Sequence, residues 1–586
     1  MSENTKHSRK KYPRPHFVRE HWLNLNGDWD FSFDDSNVGE KEKWYRQTEL
    51  TNKITVPFTY ETKASGIGDT SYHRYIWYKR NIKLDKDLIE KKVILRFQAS
   101  DYFTKVWING QFVGEHSGGN SSFSFDITNL ISFEDENNIT VKVEDSASKS
   151  QPRGKQRWVK ENFGCWYVQT TGIWQTVWIE YVSSSNIDNV KVNPDIDKNL
   201  VEFEFNLSDY PGENWDIKST VGYNNKLISK NVTSVSKKET TVVVNVTDED
   251  NEWGIHLWTP ETPNLYDVKF ELVIDGTIVD EVKSYFGMRK VSIYNGQVLL
   301  NNEPYYQKLL LDQGYWPDSM LTAPDDQALL EDIVKTKEMG FNGVRKHQKI
   351  EDQQFLHLCN TEGLLVWSEM AATYDFDDTA VNNFTKEWLD IVHQNYNHPC
   401  IVTWVPFNES WGVSKIKTNK KQQAFTESIY YLTKSIDKER PVIVNDGWEH
   451  TVSDVIALHD YEELGEVFKT RYIDKDNILG NKIPHNGFKY AFAEGYNYTG
   501  QPVMITEYGG IAFNEDRGWG YGNQVETEKE FLDRYMDITD AIKEIPYISG
   551  YCYTQTTDVQ QEINGLLNED RSPKIALNKI KEINDR

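Results

Sequence analysis

The chain has 586 residues, with 65 Lys and Arg against 90 Asp and Glu, a formal net charge of −25. It is too long for one hydrophobic core, so roughly three to four domains are expected, and too acidic to be drawn to nucleic acid or an anionic membrane surface. An apolar share of 38% with 26% charged residues is globular composition and excludes a largely disordered or collagen-like chain. A neutral substrate fits this charge best.

The first residues, MSENTKHS, hold no apolar stretch of signal type, and nowhere is there a run of about 18 apolar residues; the expected address is cytoplasmic. Cys165, Cys359, Cys400 and Cys552 are far apart in apolar or aromatic contexts and read as reduced core residues, not metal ligands. Aromatic residues make up 13% of the chain. They suit either large sandwich cores or rings that stack on sugar C–H faces, and composition does not choose between the two.

From 20 to 182 the chain reads as short strands, for example 93–97, 106–110, 139–143 and 176–179, whose period-two apolar pattern predicts an all-β sandwich. Asn109-Gly110 is a hairpin turn. Residues 146–157 lack any large apolar side chain and read as a solvated loop. A second strand-rich stretch, 184–287, has the length of an immunoglobulin-like sandwich. After 290 helical periodicity alternates with short apolar runs, the pattern of a parallel sheet with crossover helices. Residues 322–325 resemble a capping box that opens a helix with Leu329, Leu330, Ile333 and Val334 inward and stops at Gly340. Inward stripes also run through Phe384, Trp388, Ile391, Val392 and Tyr396, and through Phe531, Leu532, Tyr535, Met536 and Ile542. Between the helices lie candidate strands near 305–311, 341–346, 363–369, 401–408, 441–445, 455–459, 502–507 and 547–554, the number and size of a (β/α)8 TIM barrel.

In such a barrel the reacting groups stand at the carboxyl ends of the strands. Two apolar runs there end in a glutamate: 401–407 runs into Asn408-Glu409, and 503–506 runs into Glu507. Glycoside hydrolysis needs two carboxyl groups, one to protonate the leaving oxygen and one to attack C1 or activate water. The plainer alternative is that each glutamate caps a helix or pairs with a Lys at the barrel rim.

The strings 123–128 (FSFDIT), 172–178 (GIWQTVW), 257–266 (LWTPETPNLY) and 287–289 (GMR), in a chain ordered as two sandwiches and a barrel, resemble glycoside hydrolase family 2 over roughly residues 20–575. The resemblance implies a jelly-roll sugar-binding-like sandwich over 1–183, an immunoglobulin-like sandwich over 184–288 and a catalytic barrel over 289–586. It implies an exo-acting retaining β-glycosidase, most often a β-galactosidase, with Glu507 as nucleophile, Glu409 as acid/base and Asn408 holding the sugar 2-hydroxyl. Arg345 matches the family's strand-two arginine, a cation suited to keeping Glu507 ionised, and Tyr461 matches a tyrosine that hydrogen-bonds the nucleophile. No organic cofactor is implied. Some long members bind Mg²⁺ near the acid/base, and no clustered ligand set for it is visible in the sequence.

The chain departs from the family at several positions. His347 is displaced by one place from the usual Arg-x-Ser-His. Asp312 or Trp316 takes the pocket position after strand one, Trp166 stands where many members place a sugar-contacting aspartate, and Tyr553 replaces the strand-eight tryptophan. Family β-glucuronidases carry a lysine after strand eight. Here the string is Glu562-Ile563-Asn564-Gly565, with only Lys574 and Arg571 nearby in sequence, so β-glucuronides are expected to be poor substrates. A β-glucuronidase or β-mannosidase is the enzymatic alternative, and a carbohydrate-binding protein on a dead barrel the alternative from another class. Without further C-terminal domains, closure of the pocket falls to the chain's own loops or a second subunit, and a homo-oligomer is expected.

Overall fold

The computed structural model describes residues 11–47, 49–515 and 517–586. The first ten residues, on which the leaderless reading rests, lie outside the described residues. No helix among those described is long and apolar enough to cross a membrane.

The first sandwich packs a four-stranded antiparallel sheet containing Lys92–Phe97 and Val177–Val182 against a six-stranded one containing Gly27–Phe33, Tyr75–Ile82 and Phe103–Ile108. Alternation decides which side chains meet between them: in Lys92–Phe97, Val93, Leu95 and Phe97 are fully buried beside Phe31 and Tyr78, while the intervening side chains point outward. The Asn109-Gly110 hairpin is present, with both residues at positive φ (51° and 75°) between the paired Ile108 and Gln111. The second sandwich pairs a three-stranded sheet with a four-stranded one around Phe203, Phe205, Phe270 and Leu272.

The third region is the expected barrel. Its strands are β1 (Gln307–Asp312), β2 (Gly343–Lys346), β3 (Leu365–Glu369), β4 (Ile401–Val405, extended by Phe407–Asn408), β5 (Asn445–Asp446), β6 (Ile456–His459), β7 (Val503–Gly509) and β8 (Ile548–Thr554). Seven of them form one parallel sheet, in the order β4-β3-β2-β1-β8-β7-β6, and short pairings through β5 join its ends. Every residue of β2, β3, β4 and β7 is buried, because helices cover the outer face and side chains fill the interior. Phe384, Trp388, Ile391 and Val392 line the inner face of the helix Asp378–Asn395 as the stripe predicts.

The start of the first barrel helix differs from expectation. The helix spans Asp326–Glu338, and its N-cap is Asp325, whose side chain accepts from the Ala328 amide. Thr322 instead donates to the Trp174 carbonyl of the first sandwich, and Val334 faces solvent. The loop 146–157 also differs. It is irregular as expected, but Ser150, Gln151, Arg153, Lys155 and Gln156 are buried, because the loop docks on the barrel mouth. The Arg153 and Gly154 amides donate to the Ala372 carbonyl at 3.0 and 3.2 Å. Gly154 has φ +57°, and a Cβ there would meet the Gln348 carbonyl at 2.5 Å. A polar segment is buried here because its partners are backbone groups of the barrel rather than a hydrophobic core.

Candidate active site

Asn408 and Glu409 leave the end of β4 through a sharp turn in which Glu409 and Ser410 take positive φ (52° and 60°). That conformation is costly for residues with a side chain, and β5 holds it: the Glu409 amide donates to the Asp446 carbonyl at 2.8 Å and the Ser410 amide to Asn445 Oδ1 at 2.9 Å. Glu507 stands on β7, 4% exposed. The turn brings the two predicted glutamates together: a carboxylate oxygen of each and a His459 ring nitrogen lie within 4.8 Å of one another.

Arg345, fully buried on β2, organises the floor. Its Nη1 donates to Glu507 Oε1 at 3.0 Å, its Nη2 to Asn408 Oδ1 at 2.6 Å and its Nε to Glu369 Oε2 at 2.6 Å, with Asp446 Oδ2 2.8 Å from Nε. Burial disfavours the guanidinium charge, but Asp446, Glu369 and Glu507 outweigh burial and hold it charged. Asn408, its carbonyl taken by Arg345, is left with a buried amide nitrogen that has no partner among the described residues. Tyr461 donates to the other Glu507 oxygen at 2.5 Å and stacks on Tyr521 at 3.4 Å. His347 lies below this group, with Nδ1 3.0 Å from Glu369 and 3.2 Å from Arg345. Burial, then the charges of Lys155 and Arg345, hold its pKa well below the usual histidine value, so it is neutral.

His459 was not singled out in the sequence. At the end of β6 its Nδ1 is 2.9 Å from Glu409 Oε1 and 3.5 Å from Glu507 Oε2, while Nε2 is 3.3 Å from Asp446 Oδ1. Burial works against its charge. The Glu507 charge and the hydrogen bonds to Asp446 and Glu409 overcome burial and push its pKa up to about 10. Burial likewise raises Glu409, but the hydrogen bond and charge of His459, followed by Lys155 and Arg345, bring it below its ordinary value. The two share a proton that resides mainly on the imidazole. Glu409, His459 and Glu507 are grouped closely enough for a metal, but a protonated imidazole donates rather than ligates, and Mg²⁺ favours oxygen ligands and retained water. The trio does not fit that ion.

Other predicted positions fall elsewhere. Asp312 is 2% exposed, and its oxygens accept from Lys346 Nζ at 2.6 Å and the Gly314 amide at 2.8 Å, so it belongs to a buried ion-pair network with Glu351. Trp316 lies between Lys349 and Arg571, 5.0 and 4.5 Å from its ring. Tyr553 points away from the mouth into the core, against Tyr508 and Tyr535; the next residue, Thr554, meets Tyr461 at 3.3 Å. Trp166 is half-buried in an aromatic wall: its ring edge meets Trp411, two residues beyond Glu409, at 5.2 Å and Tyr374 at 5.5 Å. Cys165 is not a core residue but lies 3.2 Å from Lys155 Nζ. Lys574 and Arg571 are held by Asp558 and Asp332. Besides Arg345, Lys155 from the docked loop lies close enough to Glu562 and Glu409 to feel their charges.

Family models describe the whole of this architecture. The sugar-binding domain of glycosyl hydrolases family 2 matches residues 22–179, the central family 2 domain matches 185–289, and the family 2 TIM barrel domain matches 291–586. A β-galactosidase of Thermoanaerobacter pseudethanolicus is 26% identical over 90% of this chain, which spans 66% of that relative's length. The β-glucuronidase of Rattus norvegicus is 21% identical over 94% of this chain and 89% of its own. The crystal structure of Ruminococcus gnavus β-glucuronidase superposes with a TM-score of 0.79 at 17% identity, over 98% of this chain and 99% of that one, and so shares the fold. With a barrel model covering half the chain and both sandwich models preceding it in order, the chain belongs to glycosyl hydrolases family 2.

Proposed function

We propose that the chain is an exo-acting retaining β-glycosidase that cleaves a terminal uncharged sugar, with a β-galactoside as the favoured substrate. The observation that carries this reading is the approach of Glu409 and Glu507, whose oxygens lie within 4.8 Å. Retaining enzymes place their carboxyl groups about 5 to 5.5 Å apart, whereas inverting enzymes need about 6.5 to 9.5 Å to admit a water.

Glu507 attacks C1 from a position fixed by Arg345 and Tyr461, and the sugar–oxygen bond breaks as the leaving oxygen takes a proton from Glu409. Glu409 starts out largely ionised, so the proton comes from the Glu409–His459 pair. The charge on Glu507 is the strongest influence raising the His459 pKa. As that charge is consumed in forming the ester, His459 holds its proton less tightly, at the moment when Glu409 must deliver one. Glu409 then accepts a proton from the water that cleaves the ester. The unpartnered amide of Asn408 suits the sugar 2-hydroxyl.

One observation favours the second reading, a β-glucuronidase: Lys155 supplies a cation that the string after β8 lacks. Against it, buried Glu562 lies close enough to Lys155 to feel its charge, and a uronate would meet it as a further anion. Comparing kcat/KM for aryl β-galactoside and aryl β-glucuronide tests the choice. A preference for the galactoside of about 100-fold or more, about 2.7 kcal/mol, is expected, and a preference for the glucuronide overturns the neutral-sugar reading.

A further inference from the structure

Lys155 is 8% exposed, and its ammonium has one hydrogen-bond partner among the described residues, the Cys165 thiol at 3.2 Å. A thiol is a weak acceptor and an ammonium carries three donors, so the side chain is buried with most of its hydrogen bonding unmade, a costly state unless a ligand completes it. The backbone fixes its place. The Tyr167 amide donates to the Lys155 carbonyl and the Arg157 amide to the Tyr167 carbonyl, both at 2.8 Å, and Gly154 is pressed against Gln348. The same Tyr167 carries the hydroxyl that donates to Glu562 Oε2. Glu562, 3% exposed, also accepts from Gln313 Nε2 at 3.4 Å and, through Oε1, from Asn564 at 3.1 Å. A cation from the first sandwich and a carboxylate from the loop after β8 are thus tied to one tyrosine.

Building on the glycosidase reading, we propose that Lys155 and Glu562 form the hydroxyl-reading end of the sugar pocket: Lys155 donates its spare N–H groups to outer hydroxyl oxygens of an uncharged terminal sugar, and Glu562 accepts from one of the same hydroxyls. A hydroxyl can accept and donate at once, so it satisfies both groups. A carboxylate in place of that hydroxyl satisfies Lys155 but offers Glu562 no proton.

The test pairs the wild type and Lys155→Met with an aryl β-galactoside and its 3-, 4- and 6-deoxy analogues, and labels both proteins with 2-deoxy-2-fluoro-β-galactosyl fluoride. In the wild type, one deoxygenation is expected to lower kcat/KM on the order of 100-fold, because it leaves a buried cation and carboxylate unmet. In Lys155→Met the parent substrate loses a similar factor, and the same deoxygenation costs under about threefold, since the group it would have met is gone. Glu562→Gln, which keeps the shape, shows the same loss of discrimination in part. Equal sensitivity of both proteins to every deoxygenation overturns the proposal. So does a wild type indifferent to all three, a result that holds even if Lys155→Met fails to fold. Loss confined to an aryl β-glucuronide overturns it in favour of carboxylate recognition. Labelling of Glu507 with additive losses removes this inference alone, whereas no labelling and no turnover on any aryl β-glycoside removes the glycosidase reading with it.

Discussion

His459 holds Glu409 through a 2.9 Å contact between its Nδ1 and the carboxylate Oε1, and stands 3.5 Å from Glu507. One imidazole therefore bridges the two carboxylates on which the proposed chemistry depends. With its pKa pushed up to about 10 by Glu507, Asp446 and Glu409 against the effect of burial, His459 is charged in the folded chain through neutral pH.

A histidine raised in the folded state contributes stability that is complete below the unfolded value of about 6.5 and is lost as pH rises through the folded value. The melting temperature should fall between pH 7 and 10, and fall less in His459→Gln. Parallel curves would show that the imidazolium is not held as described.

Glu507→Ala should lower turnover by several orders of magnitude, because covalent catalysis loses its nucleophile. Circular dichroism should remain that of the wild type. Retention of more than about a tenth of the activity by a folded variant, an effect below about 1.4 kcal/mol, would refute the assignment.

For Glu409→Ala, the loss should grow with the pKa of the leaving group, since activated aryl glycosides need little protonation. Azide should restore part of the rate and yield the β-glycosyl azide. An equal loss across leaving groups would remove Glu409 from the acid role, and an α-azide would contradict retention.

Among the described residues, Arg345 is the one cation touching Glu507, Glu369 and Asn408 together. Arg345→Met leaves buried carboxylates uncompensated and should destabilise the chain by about 3 to 5 kcal/mol in denaturant titration. Lysine should rescue little, because it lacks the planar fork that reaches several acceptors. A change below about 1 kcal/mol would mean that the carboxylates carry protons instead.

Trp166→Ala removes the face of a half-buried wall rather than a core residue, so folding should survive while KM rises or the preference between sugars shifts. An unfolded variant would assign Trp166 to structure.

The barrel was legible in the sequence because parallel strands buried on both faces read as short apolar runs, and Glu409 and Glu507 were legible because each abruptly ends such a run. Arg345 and Tyr461 were singled out only through the family resemblance, and each hydrogen-bonds Glu507. His459 and Asp446 gave no comparable signal, since their importance lies in what the closed barrel brings beside them. Tyr553 illustrates the limit set by register: side chains on a strand alternate, so a position one residue from the mouth-facing one points into the core. Asp312 was misplaced because its partner, Lys346, comes from the neighbouring strand. Lys155 was hidden in a segment whose lack of apolar residues read as exposure, although polar backbone partners can bury a loop as well as a core can.

Retention through a covalent intermediate on Glu507 can be read from hydrolysis of an aryl β-galactoside followed by proton NMR before mutarotation intervenes. With retention, the β-hemiacetal appears first and the α anomer grows in later. Initial release of the α anomer would contradict it.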